Sequence, residues 1–251
     1  MTQQLSGMIL ADVDFYIKGL FKYNLFGQEL WFTTTHVGLI IVTIVLLVLM
    51  IVGHHKIVRA KPEDKPKGLQ NVLEMAVSAV DNMVAGIMGE KGRGFRNWIC
   101  AVAMFILFCN VSGLFGLRPP TADYGVTLPL GLITFALIQI NGLRAKKIHH
   151  ITSLFQPSPV LFPINLIGEI AVPLSLSLRL FGNIMSGTIL MGLLYGLLPA
   201  ALKVGIPAVI HVYCDIFSGA IQTYVFCMLT MVYINAVSYT HLRAHETCAD
   251  L

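Results

Sequence analysis

VLFPINLIGEIAVPLSLSLRLFGNIMSGTILMGLLYGLL, residues 160–198, decides the fold. The tract runs for 39 residues with two formal charges, Glu169 and Arg179, and with Pro173 inside it. About 20 apolar residues suffice to cross a hydrocarbon core. The same excess recurs after the break at Pro199–Lys203, where residues 204–234 form a 31-residue tract whose one formal charge is Asp215. Two perpendicular crossings would not use up such lengths, whereas tilt absorbs surplus apolar chain. The expectation is therefore a pair of long, strongly tilted membrane helices.

Three shorter apolar runs precede them, at about 35–53, 98–117 and 126–143. Of the 251 residues 56% are apolar and 12% are charged, against ~25% charged in an ordinary soluble domain. Mean hydropathy is +0.75. These values exclude a soluble globular domain, and they exclude a disordered or nucleic-acid-binding chain despite the net charge of +4. The fold class is all-α integral membrane, with about five membrane helices.

The remaining segments fit that frame. Residues 1–34 are polar and aromatic, and Trp31 and Phe32 suit a headgroup-level belt before the first span. Between spans one and two, Leu69, Val72, Leu73, Ala76, Val80, Met83, Val84 and Ile87 share one helical face. This predicts an amphipathic helix over about 69–88, lying on the membrane surface or against a partner. GEKGRG (residues 89–94) lacks the spacing of a phosphate loop and reads as a turn. The five cysteines form no CxxC and read as small apolar packers. The pairs His54–His55 and His149–His150 lie beside basic residues and read as headgroup contacts rather than metal ligands. No cleavable signal peptide is expected, because Asp12 and Asp14 precede the first apolar run. Residues 35–235 thus read as a single membrane domain after an N-terminal segment, 1–34.

Charge sets the topology. Lys56, Arg59, Lys61, Lys65, Lys67, Lys91, Arg93 and Arg96 follow span one, and Arg144, Lys146 and Lys147 follow span three. The other two loops carry only Arg118 and Lys203. Positive residues stay on the cytoplasmic side, so the N-terminus is expected outside and the C-terminus inside.

Both long tracts carry a polar stripe. Ser175, Arg179, Gly182, Asn183 and Ser186 fall on one helical face, narrow and small around a single arginine. Small residues let another helix approach closely, and a guanidinium stays charged at any accessible pH. His211, Asp215, Ser218 and Gln222 give a second face by their spacings of four, three and four. Such a string along a buried helix can line a proton or water path. Glu169 lies ten residues before Arg179, about 15 Å along a helix, too far for a direct pair, and reads as lining aqueous access. Other readings stand beside these: an Arg179–Asp215 structural ion pair, a structural His211, and Asn183, Ser186 and Ser218 as interhelical hydrogen-bond glue.

At this point the sequence resembles subunit a of the F-type ATP synthase, its membrane ion-channel subunit. Ser175-Leu-Ser-Leu-Arg-Leu-Phe-Gly-Asn183 carries the resemblance, with Phe162-Pro-Ile-Asn-Leu-Ile-Gly-Glu169 upstream and Ile221-Gln-Thr-Tyr-Val-Phe226 downstream. The proline-rich loop into Val126-Thr-Leu-Pro129 also fits, and the likeness covers roughly residues 10–235. It stops after Asn235. Residues 236–251 resemble no part of the family and read as an atypical tail of sequencing or assembly origin, excluded from site reasoning.

The resemblance implies a mechanism. Arg179 takes the place of the family's arginine, which faces the carboxylate of each passing subunit of a rotating c-ring and separates two aqueous half-channels. Asn183 and Gln222 match the neighbouring asparagine and the glutamine of the facing helix. Asp215 falls where the family carries a protonatable group, and Glu169 matches its upstream glutamate. Thr188 stands where many members have Glu or His, a departure that leaves the relay to Asp215. His211, Ser218, Ser175, Ser186 and Thr188 would line the channel. The implied partners are the c-ring, peripheral-stalk b subunits, the F1 head and the bilayer. The chain itself would hold no nucleotide, metal or cofactor and perform no catalysis, and it would lie in a bacterial plasma membrane. An ion-coupled secondary transporter is the other reading, although no internal repeat accompanies it.

Overall fold

A hairpin precedes the first long helix. The computed structural model describes residues 19–25, 28–59, 68–146, 162–198 and 205–239. In it β1 (Gly19–Leu25) pairs antiparallel with β2 (Gln28–Thr33). The sequence reading expects no strand here. The residues concerned are rich in aromatic side chains, which favour a pleated surface, and the reading assigned that aromatic signal to the membrane interface. Phe21 stacks on Phe32 across the pair, with ring centroids 4.8 Å apart. On the other pair, the Lys22 ammonium lies 4.7 Å over the Trp31 ring and 3.1 Å from Glu29. An exposed cation–π contact of this kind contributes about 0.5–1 kcal/mol. Gly19 lies beneath the indole, so a side chain there would displace it.

β2 passes without a linker into α1 (Thr34–Arg59). The Thr33 hydroxyl is 2.7 Å from His36 Nδ1, and Phe32 stacks on the same imidazole at 5.3 Å. The hairpin is therefore clamped to the first turn of a membrane-length helix, and headgroup depth for Trp31 is the expectation that follows. Trp31 is 51% exposed, ready for that interface. In a Trp98→Phe variant Trp31 is the one remaining tryptophan. Its fluorescence is expected to be quenched more strongly by lipids brominated near the headgroup than by lipids brominated at the chain end. Equal quenching by both would refute the assigned depth.

Helices form the rest of the described chain. α2 (Leu69–Met88) is followed by a 3-10 stretch, Gly89–Phe95, where the sequence reads as a turn. α3 (Arg96–Val111) ends in a 3-10 turn, Ser112–Phe115, and α4 (Tyr124–Lys146) and α5 (Phe162–Leu197) follow. α6 (Ile206–His211) runs into a π-helical stretch, Val212–Ser218, and on into α7 (Gly219–Tyr239). Among the described residues, five helical stretches are long and apolar enough to cross a membrane: Thr34–Val58, Gly92–Phe115, Tyr124–Ala145, Phe162–Leu197 and Val209–Val237. The chain is thus an all-α membrane protein with a small hairpin added.

α5 is one helix of 36 residues despite Pro173. At 1.5 Å per residue it is about 54 Å long, so it fits a ~30 Å hydrocarbon layer only when steeply inclined. α7 continues to Tyr239, four residues into the tail read as atypical. The remainder of that tail, and Asp12, Asp14, Lys61, Lys65, Lys67, Lys147, His149, His150 and Lys203, lie outside the described residues.

The chain divides into two units. One comprises Met1–His55, Met104–Asp123 and Leu180–Thr223, and the other Lys56–Ala103, Tyr124–Arg179 and Tyr224–Leu251. In the second unit Val84 and Met88 of α2 enter a core with Ile99, Ala103, Ile138, Cys227, Met231 and Ile234. The helix predicted as amphipathic therefore finds its partner in the chain's own helices. Only its C-terminal half, from Val80 onward, is covered, whereas Val72 stays exposed. The Asn235 amide donates to the Ile87 carbonyl at 3.0 Å, and Arg96 pairs with Asp81 at 2.8 Å. α4 and α5 approach closely at Gly131, where an added Cβ would lie 2.9 Å from the Pro173 carbonyl oxygen.

Candidate functional site

Chemistry-bearing side chains gather in the first unit, where the second half of α5 meets the π-helical stretch. Asp215 sits inside that stretch, and its Oδ2 is 3.0 Å from His211 Nδ1. The two side chains are 16% and 29% exposed. Gly113, in the 3-10 turn after α3, leaves room for the carboxylate: a Cβ there would lie 3.1 Å from both of its oxygens. The Ser218 hydroxyl donates to Asn183 Oδ1 at 3.1 Å and ties the π-helical stretch to α5. Ser186 donates to the Asn183 carbonyl and Thr188 to the Ile184 carbonyl, each at 2.9 Å. These two hydroxyls spend their donors on their own helix, as Ser and Thr in helices commonly do. Each retains acceptor capacity only.

Asn183, Ser186, Thr188, His211, Asp215 and Ser218 line one cavity of about 740 Å³. A water takes up about 30 Å³ in the liquid, so there is room for a connected water chain past the carboxylate. A buried polar brace adjoins the same π-helical stretch. The Asn110 amide donates to the Gly219 carbonyl at 3.2 Å and accepts from the Thr121 hydroxyl at 2.9 Å, with Asn110 and Thr121 fully buried. An added Cβ at Gly219 would lie 2.9 Å from Asn110 Cβ, so glycine is required for this approach. Asn110, Gly113 and Arg118, which also lines the cavity, escaped the sequence reading. An asparagine within an apolar span was the available signal for the first.

Gln222 parts from the face predicted for it. Spacing alone places it with His211, Asp215 and Ser218. A π turn holds more residues than an α turn, so residues beyond Val212–Ser218 lag in rotation and Gln222 swings off the Asp215 face. It is 6% exposed, it does not line the cavity, and its Nε2 has no hydrogen-bond partner among the described residues.

Arg179 is exposed on α5, as are Ser175, Gly182 and Ser186 of the same stripe. Among the described residues it forms no ion pair, and the partner of Asp215 is His211. Glu169, read as lining aqueous access, lies in the second unit, where its carboxylate accepts a hydrogen bond from the Gln139 amide of α4.

Comparison with known proteins identifies the family. The profile of the family described as ATP synthase A chain matches residues 36–235. A relative from Propionigenium modestum, "ATP synthase subunit a, sodium ion specific", is 35% identical over 186 residues, covering 67% of this chain and 63% of that protein's length. "ATP synthase subunit a" of Moorella thermoacetica is 34% identical over 201 residues, covering 79% of this chain and 89% of the relative. The Syntrophotalea carbinolica protein "ATP synthase subunit a 1" is 34% identical, with coverages of 75% and 81%. With the signature stripe on one long helix and a family match that spans nearly all of the membrane region, the chain belongs to the ATP synthase A chain family, subunit a of the F-type enzyme.

Proposed function

We propose that this chain carries protons across a bacterial plasma membrane as the stator channel subunit of an F-type ATP synthase, with Arg179 facing the carboxylates of a rotating c-ring. One observation carries the reading: a permanent cation stands exposed, without an ion-pair partner among the described residues, on a helix of membrane length. A charge at the bilayer centre costs roughly 2.5–3.5 kcal/mol on insertion scales, so Arg179 calls for an anion supplied by another chain. The exposed Ser175, Gly182 and Ser186 beside it leave space for such a chain to pass closely. The arginine holds the arriving carboxylate ionised and divides two half-channels.

The cavity holding Asp215 and His211 serves as one half-channel, with Ser218 and Asn183 fixing its wall. The buried Nε2 of Gln222, unpaired among the described residues, is a hydrogen-bond donor available to the assembled complex. The N-terminus lies outside and the C-terminus inside. The partners are the c-ring, the peripheral-stalk b subunits and the F1 head. No nucleotide binds this chain, so its part in the enzyme is transport rather than catalysis.

ATP-driven proton uptake by inverted vesicles carrying the assembled complex tests the proposal. Wild type is expected to acidify the lumen. Asp215→Asn is expected to slow uptake by about 10²-fold or more, the usual contribution of a positioned proton-transfer group. Assembly is checked by co-purification of the other subunits. A wild-type complex that hydrolyses ATP without moving protons would overturn the function. An assembled Asp215→Asn complex pumping at the wild-type rate would remove Asp215 from the path.

A further inference from the structure

Asp215 is the one carboxylate among the described residues lining the cavity, and His211, four residues earlier, is the one imidazole. Their hydrogen bond, 3.0 Å from His211 Nδ1 to Asp215 Oδ2, fixes the tautomer. An ionised carboxylate only accepts, so a neutral imidazole facing it carries its proton on Nδ1 and leaves a lone pair on Nε2. That Nε2 has no hydrogen-bond partner among the described residues, yet it is not one of the buried polar atoms lacking a partner, so it is open to water. Tyr195 of α5 flanks the imidazole, with ring centroids 6.1 Å apart, and the ring is held between this neighbour and the carboxylate. His211 is also the more exposed of the pair, at 29% against 16% for Asp215. The cavity thus presents a base to water on one edge of a ring and a proton acceptor on the other edge.

We propose that His211 relays protons between the cavity water and Asp215. The inference rests on the channel reading above and adds a second working residue to it. Imidazole suits the task, because it binds and releases protons near neutral pH and has two distinct ring nitrogens. A hydronium ion gives its proton to Nε2, where an N–H bond forms and a water is left. The Nδ1–H bond then breaks as an O–H bond forms on Asp215 Oδ2, and the ring is neutral again with its proton on Nε2. The Asp215 O–H bond breaks when the proton moves on along the path. Nε2 then returns its proton to water while Nδ1 takes one up from water, which restores the starting tautomer. One proton has crossed, and the same steps in reverse carry one the other way.

The test is the initial rate of ATP-driven proton uptake by the assembled complex at fixed pH, for wild type, His211→Ala, His211→Asn and His211→Gln. Asparagine and glutamine keep an amide donor for Asp215, but an amide does not pass a proton from one edge to the other near neutral pH. Wild type is measured first. Its failure to take up protons refutes the channel reading itself, separately from the role of His211. With wild type active, every variant that assembles is expected to slow uptake by about 10²-fold or more, the usual contribution of a positioned proton-transfer group. Recovery of the wild-type rate by either amide variant, with His211→Ala slow, would reduce His211 to holding the carboxylate and overturns the proposal. Uptake at the wild-type rate in His211→Ala overturns it too, since cavity water would then load Asp215 directly. So does failure of all three variants to assemble, which would make His211 a structural prop.

Discussion

Arg179→Ala is expected to leave the complex assembled and to abolish ATP-driven proton uptake. The side chain is exposed and packs into no core, so its loss creates no cavity, and co-purification of the other subunits should be unchanged. The effect on transport is electrostatic. Two unit charges about 4 Å apart attract by about 4 kcal/mol at an effective dielectric of 20, or about three decades in the population of the ionised carboxylate. On the proposed mechanism, the opposing carboxylate would then no longer be held ionised, and nothing would bar a proton from crossing between half-channels. Vesicles stripped of the catalytic head should accordingly leak protons faster with Arg179→Ala than with wild type. Arg179→Lys should fall between the two, because an ammonium keeps the charge but loses the planar fork. An assembled Arg179→Ala complex that pumps normally would show the arginine to be structural, even though the family assignment stands.

The second large effect is on stability. Gly131→Val should sharply reduce the yield and thermal stability of the complex. Gly131 is buried on α4, and a Cβ there would lie 2.9 Å from the Pro173 carbonyl oxygen and 3.2 Å from Ser177 Cβ. The obstacle is backbone of α5, which cannot rotate out of the way as a flexible side chain could. Overpacking of this kind costs about 1–3 kcal/mol, and close helix approach through small residues is a main source of packing energy within a bilayer. The same contact region carries the Gln139–Glu169 hydrogen bond, so separation of the two helices would break it as well. Gly86→Ala on α2 is the control, since a Cβ there meets nothing within 4 Å. It should be neutral or slightly stabilising, because alanine loses less conformational freedom than glycine in a helix. Equal loss with both variants would show that the close approach at Gly131 is not the cause.

Sequence alone determined the membrane class, the five spans and the identity of the charged residues that need a reason. Burial of apolar length in a bilayer depends on runs of residue types, which are local and additive along the chain. The arginine stripe was legible for the same reason: Ser175, Arg179, Gly182 and Ser186 lie on an uninterrupted α-helix whose period is fixed, and all four are exposed together. Three features waited for the tertiary structure. The hairpin before α1 depends on pairing between Phe21 and Phe32 and between Lys22 and Trp31, which composition does not register. The half-buried face of α2 is settled by where α3, α4 and α7 happen to cover it. Above all, Gln222 left the face that regular spacing assigned to it, because Val212–Ser218 winds as a π-helix. The wide turn comes with the Ser218 bond to Asn183 and with the Asn110 bond to the Gly219 carbonyl beside it, two long-range contacts with no signature in local periodicity. A helical period can be read from one chain segment, but the place where that period breaks is set by what packs against it.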